Sequence, residues 1–432
     1  MENKVIKAGL LGAGTVGGGT FRLLRMRKDD LPARVGAGIE ITKVLVRDAS
    51  RKREGFPQEV LTDNWESIIN DPEISIIIEL MGGIEPARTY ITEALKRGKH
   101  VVTANKDLIA THGFELMNLA DENHCDLLFE AAVAGAIPII RPLRECLEGN
   151  DISEVMGIVN GTTNFILTEM TQKGMDYSVA LKQAQELGFA EADPTADVEG
   201  LDAGRKVAIL ASLAFHTKVT FGDVDIKGIS SISAEDILFA KQLGYVIKLI
   251  GTARKVNGEV EASVAPTMIP VEHPLANVNG SFNAIFLHGD AVDDVMFQGR
   301  GAGSLPTASA VVGDIIAVSR NMLCGCSGRI GNRCTNTLPI QDPGDTEHKF
   351  FLRMLVEDRP GILAQLASIL GGCGVGISQI VQTTAAGNDG MAELVIITHN
   401  TPVRQLDAAL SAFASLPTIH KIHSVIRVYG QD

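Results

Sequence analysis

The chain has few of the residues that mark a secreted, membrane-bound or nucleic-acid-binding protein. It holds 6 cysteines in 432 residues, and its 39 lysines and arginines are outnumbered by 52 aspartates and glutamates. So few cysteines do not make a disulfide framework, which predicts a reducing, cytoplasmic location. The net charge of −13 disfavours binding to nucleic acid or to an anionic lipid surface, because phosphates are held by clustered Lys and Arg.

Long apolar runs are also missing. None approaches the roughly 20 residues that cross a bilayer, and the best candidate, residues 74–84, contains Glu79 and a glycine pair. The first fourteen residues make a poor signal peptide, because their apolar stretch is short and glycine-rich. With 45% hydrophobic residues there is enough apolar material for large cores. The length predicts about three domains.

A glycine-rich turn follows the first predicted strand, residues 5–11. Gly12 allows a tight turn, Gly14 lets a pyrophosphate approach the backbone, and Gly17 lets the following helix pack closely. The free amides at the start of that helix then bind phosphate. The pattern predicts dinucleotide binding, and the alternative is a turn without a ligand. The predicted cofactor-binding residues of this segment are Leu11, Gly12, Ala13, Gly14, Thr15, Val16 and Gly17.

The second predicted strand, residues 39–46, ends in Arg47. NAD-preferring sites usually have Asp or Glu here, whereas a cation suits the 2′-phosphate of NADP. The sequence therefore favours NADP(H), with NAD(H) possible. The alternative is that Arg47 is a solvated surface residue beside Asp48.

The alternation of strands and helices continues through residue 129. It predicts a doubly wound, Rossmann-type parallel sheet whose ligand lies at the carboxyl ends of the strands. One segment leaving this edge contains Thr103 and Lys106. We expect Lys106 to face the nicotinamide end of the cleft, and the alternative is a surface lysine.

A carboxylate-rich segment, residues 189–200, precedes an apolar helix predicted over 201–215. That helix carries Asp202 and Lys206, which are four residues apart and therefore share one face. A lysine beside a carboxylate in a partly dry cleft is suited to proton transfer. The alternative is a surface salt bridge.

Together these motifs resemble homoserine dehydrogenases over essentially the whole chain. One difference is Ala136, where the family commonly has a second glycine; it should change the local turn without removing a reacting side chain. The matching segments are residues 9–19, 103–110, 130–140, 157–167, 187–211 and 299–314.

The resemblance implies a reversible NAD(P)-linked conversion of L-aspartate 4-semialdehyde to L-homoserine, a step in threonine, methionine and isoleucine biosynthesis. It implies that Lys206 is the acid/base, with Lys106 a second candidate for proton transfer. Glu191 and Asp202 match the residues that hold the ammonium and hydroxyl end of the substrate. Asp197 fits a supporting carboxylate.

The resemblance also implies a sodium or other monovalent cation, bound by backbone oxygens, and a homo-oligomer, either a dimer or a tetramer. Two further positions match residues that line the cofactor, Gly188 and Gly303. The matching cation-binding positions are Glu130, Val133, Gly135 and Ile137.

The pattern from residue 349 onward predicts the strand and helix order βαββαβ of a ferredoxin-like unit, with its central hairpin turn at residues 385–390. A strand, the turn Asp358–Gly361 and a helix resemble the start of an ACT domain, an amino-acid-sensing module. Threonine is the expected effector, and the alternative is an oligomerisation module that has lost ligand binding. Deleting residues 350–432 is expected to leave catalysis intact.

The expected domains are a NAD(P)-binding Rossmann domain at 1–137, completed by about 300–334, and an α+β catalytic and dimerisation domain at 138–299. A linker at 335–348 and the ACT domain at 349–432 follow.

The two alternative functions are a phosphorylating semialdehyde dehydrogenase and a sensor without turnover. The first needs a nucleophilic cysteine, for which Cys125 and Cys146 are poorly placed. The spacing of Cys324, Cys326 and Cys334 does not suit structural zinc.

Overall fold

The computed structural model describes residues 4–332, 334–384 and 390–430. The chain divides into two compact units. The first comprises Met1–Val155, Arg205–Asp223 and Phe282–Leu338, and the second comprises Met156–Gly204, Val224–Ser281 and Pro339–Asp432. The hairpin turn predicted at residues 385–390 lies, except for Gly390, outside the described residues.

The strands, in chain order, are β1 (Val5–Leu11), β2 (Gly38–Leu45), β3 (Leu61–Thr62), β4 (Ile74–Glu79), β5 (His100–Thr103), β6 (Leu127–Leu128), β7 (Ile152–Ile158), β8 (Asp225–Ile226), β9 (Tyr245–Val256), β10 (Glu259–Pro270), β11 (Phe282–Gly289), β12 (Asp293–Arg300), β13 (Glu347–Glu357), β14 (Ile377–Thr384), β15 (Met391–Thr398), β16 (Thr401–Pro402) and β17 (Ile419–Val428). The α-helices are α1 (Thr15–Met26), α2 (Leu31–Val35), α3 (Glu66–Ile69), α4 (Ala87–Lys96), α5 (Lys106–Glu122), α6 (Gly161–Lys173), α7 (Tyr177–Glu186), α8 (Thr195–Val198), α9 (Leu201–Ala214), α10 (Ala234–Gln242), α11 (Ser304–Cys324), α12 (Ile362–Gly372) and α13 (Val403–Phe413).

The first unit contains a six-stranded parallel sheet in the order β3-β2-β1-β4-β5-β6. This is the Rossmann strand order, and it confirms the predicted fold class. Leu11 pairs with both Leu45 and Glu79, and Glu79 pairs with Thr103. Because these residues close their strands in register, the loops that follow them leave from one edge of the sheet.

Helix α11 packs against this sheet although it lies far along the chain. Its side chains Val311, Ile315 and Val318 belong to the same core as Phe21 of α1. A methyl group on Gly19 would lie 2.6 Å from the backbone oxygen of Ser304, so the two helices approach as closely as glycine permits.

The start of helix α5 is set by a side-chain cap. The helix begins at Lys106 because the Asn105 side chain accepts a hydrogen bond from the Leu108 amide at 3.1 Å. Lys106 is therefore the first residue of a helix.

The second unit is built on a sheet that includes β9-β10-β17-β13-β15-β14 in that order. Strands β9 and β10 form an antiparallel hairpin, and β10 pairs in parallel with β17, the last strand of the chain. The segment predicted as a linker also pairs with β10. Val260 donates its amide hydrogen to the Pro339 oxygen at 2.8 Å and accepts a hydrogen bond from Gln341 at 2.9 Å.

Residues 347–428 have the predicted order β13, α12, β14, β15, α13, β17, with the short β16 beside β13. Apolar side chains of these elements, including Phe350, Leu366 and Phe413, form a separate core. The ferredoxin-like fold predicted for the unit that begins at residue 349 is confirmed, and this unit is called the tail below.

Buried ion pairs join the tail to the rest of the second unit. Arg353 of β13 donates to Asp236 of α10 at 2.8 Å, and Ser424 donates to the same carboxylate at 2.6 Å. Arg427 of β17 contacts Asp225 at 2.9 Å. Removing the tail would therefore leave the buried Asp236 and the partly exposed Asp225 without these partners.

None of the described helices combines the length and the apolarity that crossing a bilayer requires.

Candidate functional site

The glycine turn between β1 and α1 has the geometry that the motif predicts. Gly12 has φ +102°, and a methyl group there would lie 2.8 Å from the Leu80 oxygen. A methyl group on Gly17 would lie 2.2 Å from the Gly12 oxygen, so helix and turn touch. A methyl group on Gly14 meets no protein atom within 4 Å, which leaves that face open to a ligand.

A cavity of about 720 Å³ lies beside this turn. Gly12, Ala13 and Gly14 line one part of it, and Arg47, Arg51 and Arg53 line another. A volume of this size suits a cofactor, and the arginines supply positive charge where a phosphate would lie. These residues fit a dinucleotide.

Asp48 does not neutralise Arg47. Its carboxylate accepts hydrogen bonds from the Ser50 hydroxyl at 2.6 Å and the Ser50 amide at 2.9 Å, and these bonds lower the pKa of Asp48. Arg47 forms no ion pair with any residue that the structure describes. Its guanidinium is therefore available to an anion in the cavity.

The loops at the sheet edge are held by a buried carboxylate that the sequence analysis did not single out. Glu79 accepts hydrogen bonds from the amides of residues 81 and 82, at 2.8 and 3.2 Å, and from the Thr103 hydroxyl at 2.7 Å. The backbone amide of Asn105 in turn donates a hydrogen bond to Thr103 Oγ1. An acidic residue ending an otherwise apolar strand was the available signal. Through Thr103, Glu79 therefore holds in place the end of β5, which leads directly to Lys106 at the start of α5.

An ion pair within the first unit ties the start of α5 to α9. Arg205 Nε lies 2.5 Å from Asp107 Oδ1, and its guanidinium lies over the Phe221 ring, 4.9 Å from the centroid. Each partner is the sequence neighbour of a predicted proton donor, Lys106 or Lys206. The pair therefore holds together the two helices that carry these lysines.

Helix α9 places Asp202 and Lys206 one turn apart. Both residues are buried, with 7% and 8% of their surface exposed. Their four-residue spacing puts the carboxylate and the amine on one face. A pair buried to this extent differs from the solvated salt bridge considered as the alternative.

Asn160 brings two of the predicted carboxylates together in the second unit. Its amide nitrogen donates to Asp197 Oδ1 at 2.7 Å and to Asp202 Oδ2 at 2.9 Å. Asn160 was not among the site residues predicted from the sequence. Its partners lie 37 and 42 residues away, so the sequence carried no direct signal.

The structure does not bring Glu191 into this cluster. Its side chain is exposed, and its backbone oxygen accepts a hydrogen bond from Gln185 at 3.1 Å. The same loop includes Gly188, with φ +75° and no neighbour within 4 Å of an added methyl group. Phe189, which follows, is anchored by a hydrogen bond from Thr162 to its oxygen.

Other predicted cofactor residues belong to the start of α1 and to the segment before α11. Thr15 begins α1, and its oxygen accepts a hydrogen bond from Ser304 at 2.9 Å. Gly303, with φ +126°, immediately precedes α11. Leu11 directly precedes the lining residue Gly12, and Val16 and Gly17 lie in the first turn of α1.

The predicted cation loop can offer backbone oxygens. The Glu130 carboxylate is already engaged, since it accepts hydrogen bonds from the amides of residues 139–141 at 2.6–2.8 Å. Within the described residues, no hydrogen bond reaches the backbone oxygens of Val133, Gly135 or Ile137. Gly135 has φ +58°, and a methyl group there would lie 2.3 Å from the Gly301 oxygen. The loop therefore fits a hard monovalent ion bound through carbonyl oxygens.

Asp314 contacts the predicted cation loop at Glu130, and the sequence did not indicate this contact. It accepts hydrogen bonds from the Glu130 amide at 2.8 Å and from Arg141 at 2.7 Å. Complete burial raises the pKa of Asp314 to about 7.

Two of the cysteines are buried and poorly suited to act as nucleophiles. Burial raises the pKa of the Cys125 and Cys334 thiols to about 11, which leaves almost no thiolate at neutral pH. Among the residues that the structure describes, Cys324, Cys326 and Cys334 form no metal-binding cluster. The geometry therefore gives no support to the phosphorylating dehydrogenase considered above.

A buried lysine supports the helix that follows Asn160. Lys248 is 1% exposed and donates to Asn164 Oδ1 at 3.0 Å, to the Val278 oxygen at 2.7 Å and to Asn279 Oδ1 at 3.2 Å. Burial lowers its pKa to about 8.

We expect Lys248 to make stability rise between pH 8 and 10. In this window the unfolded chain binds a proton that the folded chain has released, so the free energy of unfolding rises with pH, by about 3 kcal/mol in total. Urea unfolding of the wild type and of Lys248→Met at pH 7.5 and 10 measures this difference. The variant should lack the rise, and parallel pH dependences would contradict the prediction.

The tail carries its own cavity, of about 410 Å³. It is lined by the turn Asp358–Gly361, by the first residues of α12, and by Gln382 and Leu394. Gln382 donates to Asp358 at 3.1 Å and so closes one side.

Three family models match the chain. A model described as homoserine dehydrogenase matches residues 138–316, the NAD-binding domain of homoserine dehydrogenase matches residues 12–130, and the ACT domain matches residues 350–418.

Proteins similar to this chain carry the same description. The homoserine dehydrogenase of Bacillus subtilis is 47% identical over 430 residues, covering 99% of both chains. The crystal structure of a homoserine dehydrogenase from Thiobacillus denitrificans is 40% identical, with a TM-score of 0.93, and the match covers 99% of this chain and 98% of that one. A hyperthermophilic archaeal homoserine dehydrogenase in complex with NADPH is 27% identical, with a TM-score of 0.62, over 73% of this chain and 98% of its own.

These matches agree with the glycine turn, the NAD(P)-binding sheet and the ferredoxin-like tail, and they confirm the resemblance inferred from the sequence. The chain therefore belongs to the homoserine dehydrogenase family of NAD(P)-dependent oxidoreductases and ends in an ACT domain.

Proposed function

We propose that the chain catalyses the NADP-linked reversible reduction of L-aspartate 4-semialdehyde to L-homoserine in the cytoplasm, within threonine, methionine and isoleucine biosynthesis. The main support is the face of α9, where Asp202, held by Asn160, precedes the buried Lys206 by one turn. Reduction of an aldehyde develops an alkoxide, which a neighbouring ammonium both stabilises and protonates.

The reaction uses the lysine as a proton carrier. Bound NADPH supplies the hydride. Lys206 holds a proton on Nζ and gives it to the substrate oxygen during reduction, and it takes the proton back in the reverse direction. Lys106 is a second candidate for this proton. Asp202 and Glu191 bind the ammonium and hydroxyl end of the substrate, with Asp197 in support.

The cofactor is held by the glycine turn and by Arg47. NADP(H) is preferred because three arginines line the cavity and Arg47 is not paired with Asp48. The other residues proposed to contact the cofactor are Leu11, Thr15, Val16, Thr103, Lys106, Gly188 and Gly303.

We expect Arg47→Asp to reverse part of the cofactor preference. The KM for NADPH should rise at least tenfold because a carboxylate repels the 2′-phosphate, while the KM for NADH changes less than threefold. Arg34→Asp, at an exposed position outside the cavity, is the matched control. Equal losses for both cofactors would show that Arg47 does not distinguish them.

A sodium or other monovalent ion is proposed at the backbone oxygens of Glu130, Val133, Gly135 and Ile137. The support is the set of carbonyls in this loop that receive no hydrogen bond from described residues. The ion would hold the loop that packs against Gly301.

The proposed domains are those expected from the sequence, with cofactor binding at 1–137 and about 300–334, catalysis and dimerisation at 138–299, the linker at 335–348 and regulation at 349–432. The cavity beside Asp358–Gly361 supports an amino-acid effector, for which we propose threonine. A homo-oligomer, dimer or tetramer, is proposed from the resemblance.

The decisive test is NADPH oxidation by the purified full chain with L-aspartate 4-semialdehyde. Turnover that depends on the semialdehyde supports the proposal. Absence of turnover would refute it and leave the alternative of an amino-acid sensor that catalyses no reaction. The same assay with sodium replaced by choline, and with threonine added, tests the cation and the effector.

A further inference from the structure

We propose that Asn160 is a positioning residue that sets the separation of the Asp197 and Asp202 carboxylates at the ammonium and hydroxyl end of the substrate. This inference rests on the proposed role of these two carboxylates. Asn160 lies between β7 and α6, whereas Asp197 belongs to α8 and Asp202 to α9. One amide group therefore ties together the ends of three elements.

The orientation of the Asn160 amide is determined by its surroundings. Its oxygen accepts hydrogen bonds from the Thr163 amide at 2.9 Å and the Thr163 hydroxyl at 3.0 Å, which cap α6. Its nitrogen donates one hydrogen to each carboxylate. A flipped amide would point its oxygen at two carboxylates and its nitrogen at a backbone N–H, so only one orientation is favourable.

The residue type also matters for charge. A lysine or arginine at position 160 would hold the two carboxylates but would also neutralise them, and so would compete with a ligand ammonium. A neutral amide aligns both groups and leaves their negative charge in place. Asn160 is 5% exposed, so these hydrogen bonds are shielded from water.

The test compares two substitutions that keep the helix cap and lose the bridge. Asn160→Asp retains an oxygen for the Thr163 amide but has no hydrogen to donate. Asn160→Ser retains the cap with a side chain too short to reach both carboxylates. Thr168→Val is the control, because it removes a hydroxyl hydrogen bond from the same helix without touching the carboxylates.

We expect both Asn160 variants to raise the KM for homoserine at least tenfold, with kcat reduced less than fivefold and the Kd for NADPH unchanged. Thr168→Val should keep the KM within twofold. A purely structural role would lower the amount of active enzyme, and hence the apparent kcat, without this rise in KM.

Asp202→Asn separates failure of this inference from failure of the proposed function. If Asp202→Asn raises the KM and both Asn160 variants leave it unchanged, Asn160 does not position the carboxylates, although their proposed role stands. If Asp202→Asn and Asp197→Asn also leave the KM unchanged, both the proposed role and the inference are overturned. Should Asn160→Asp fail to fold, as judged by circular dichroism against Thr168→Val, the result with Asn160→Ser decides.

Discussion

Lys206→Ala is expected to lower kcat by roughly 10²–10⁴-fold, the usual contribution of a positioned general acid. Lys206 is buried on α9 one turn after Asp202. The Kd for NADPH should stay within twofold, because the cofactor cavity is lined by the glycine turn and the arginines. Steady-state assays in both directions and fluorescence titration with NADPH measure the two effects.

Three further variants make the Lys206 test specific. Lys206→Arg keeps a positive charge but holds its proton permanently, so activity as low as that of the alanine variant indicates proton transfer as well as charge. Lys106→Ala shows which lysine is the main donor. Lys218→Ala, at an exposed position beyond the same helix, should be fully active. Near-normal turnover of Lys206→Ala would refute its role.

Arg353→Met is expected to lower the free energy of unfolding by about 3–5 kcal/mol, the cost of leaving one member of a buried ion pair without its partner. Asp236 is fully buried and accepts the Arg353 hydrogen bond at 2.8 Å. Urea unfolding followed by far-ultraviolet circular dichroism measures the loss.

The double variant Arg353→Met with Asp236→Asn should recover part of this stability, because position 236 then carries no uncompensated charge and only Glu393, 3.6 Å from Arg353, still loses a partner. Arg359→Met, which breaks an exposed pair with Glu357, should cost less than about 1 kcal/mol. A loss below about 1 kcal/mol for Arg353→Met would show that this pair does not stabilise the junction with the tail.

The same contacts change the expectation for a truncated chain. Deleting residues 350–432 removes the partners of Asp236 and Asp225 and uncovers the edge of β10. We therefore expect the second unit to lose its fold, contrary to the expectation from the sequence that catalysis would survive. Point variants in the effector cavity are the better test of regulation.

What could be predicted from the sequence was local. Gly12, Gly14 and Gly17 act through their own turn, so their spacing was sufficient to predict the nucleotide-binding sheet. No individual helix or strand was predicted between residues 224 and 298, yet this part of the chain forms β8 to β11, most of β12, and α10. Within β10, Glu261 and Ser263 are buried by partners from the tail, which sequence periodicity does not show.

The hydrogen bonds of Asn160 with Asp197 and Asp202 could not be predicted from the sequence either. Its carboxylates lie on two other elements, so only the folded backbone brings them to one amide. Lys248 is a lysine on a strand that would normally face solvent, and only its three acceptors explain its burial.

The pairing of β10 with β17 has a consequence for biosynthesis. Thr267 and Met268 find their partners, Arg427 and Val428, about 160 residues later, at the very end of the described chain. During translation Thr267 and Met268 of β10 lack these partners until residues 427 and 428 have left the ribosome. Chaperone dependence during synthesis should therefore be greatest in the interval between these two strands.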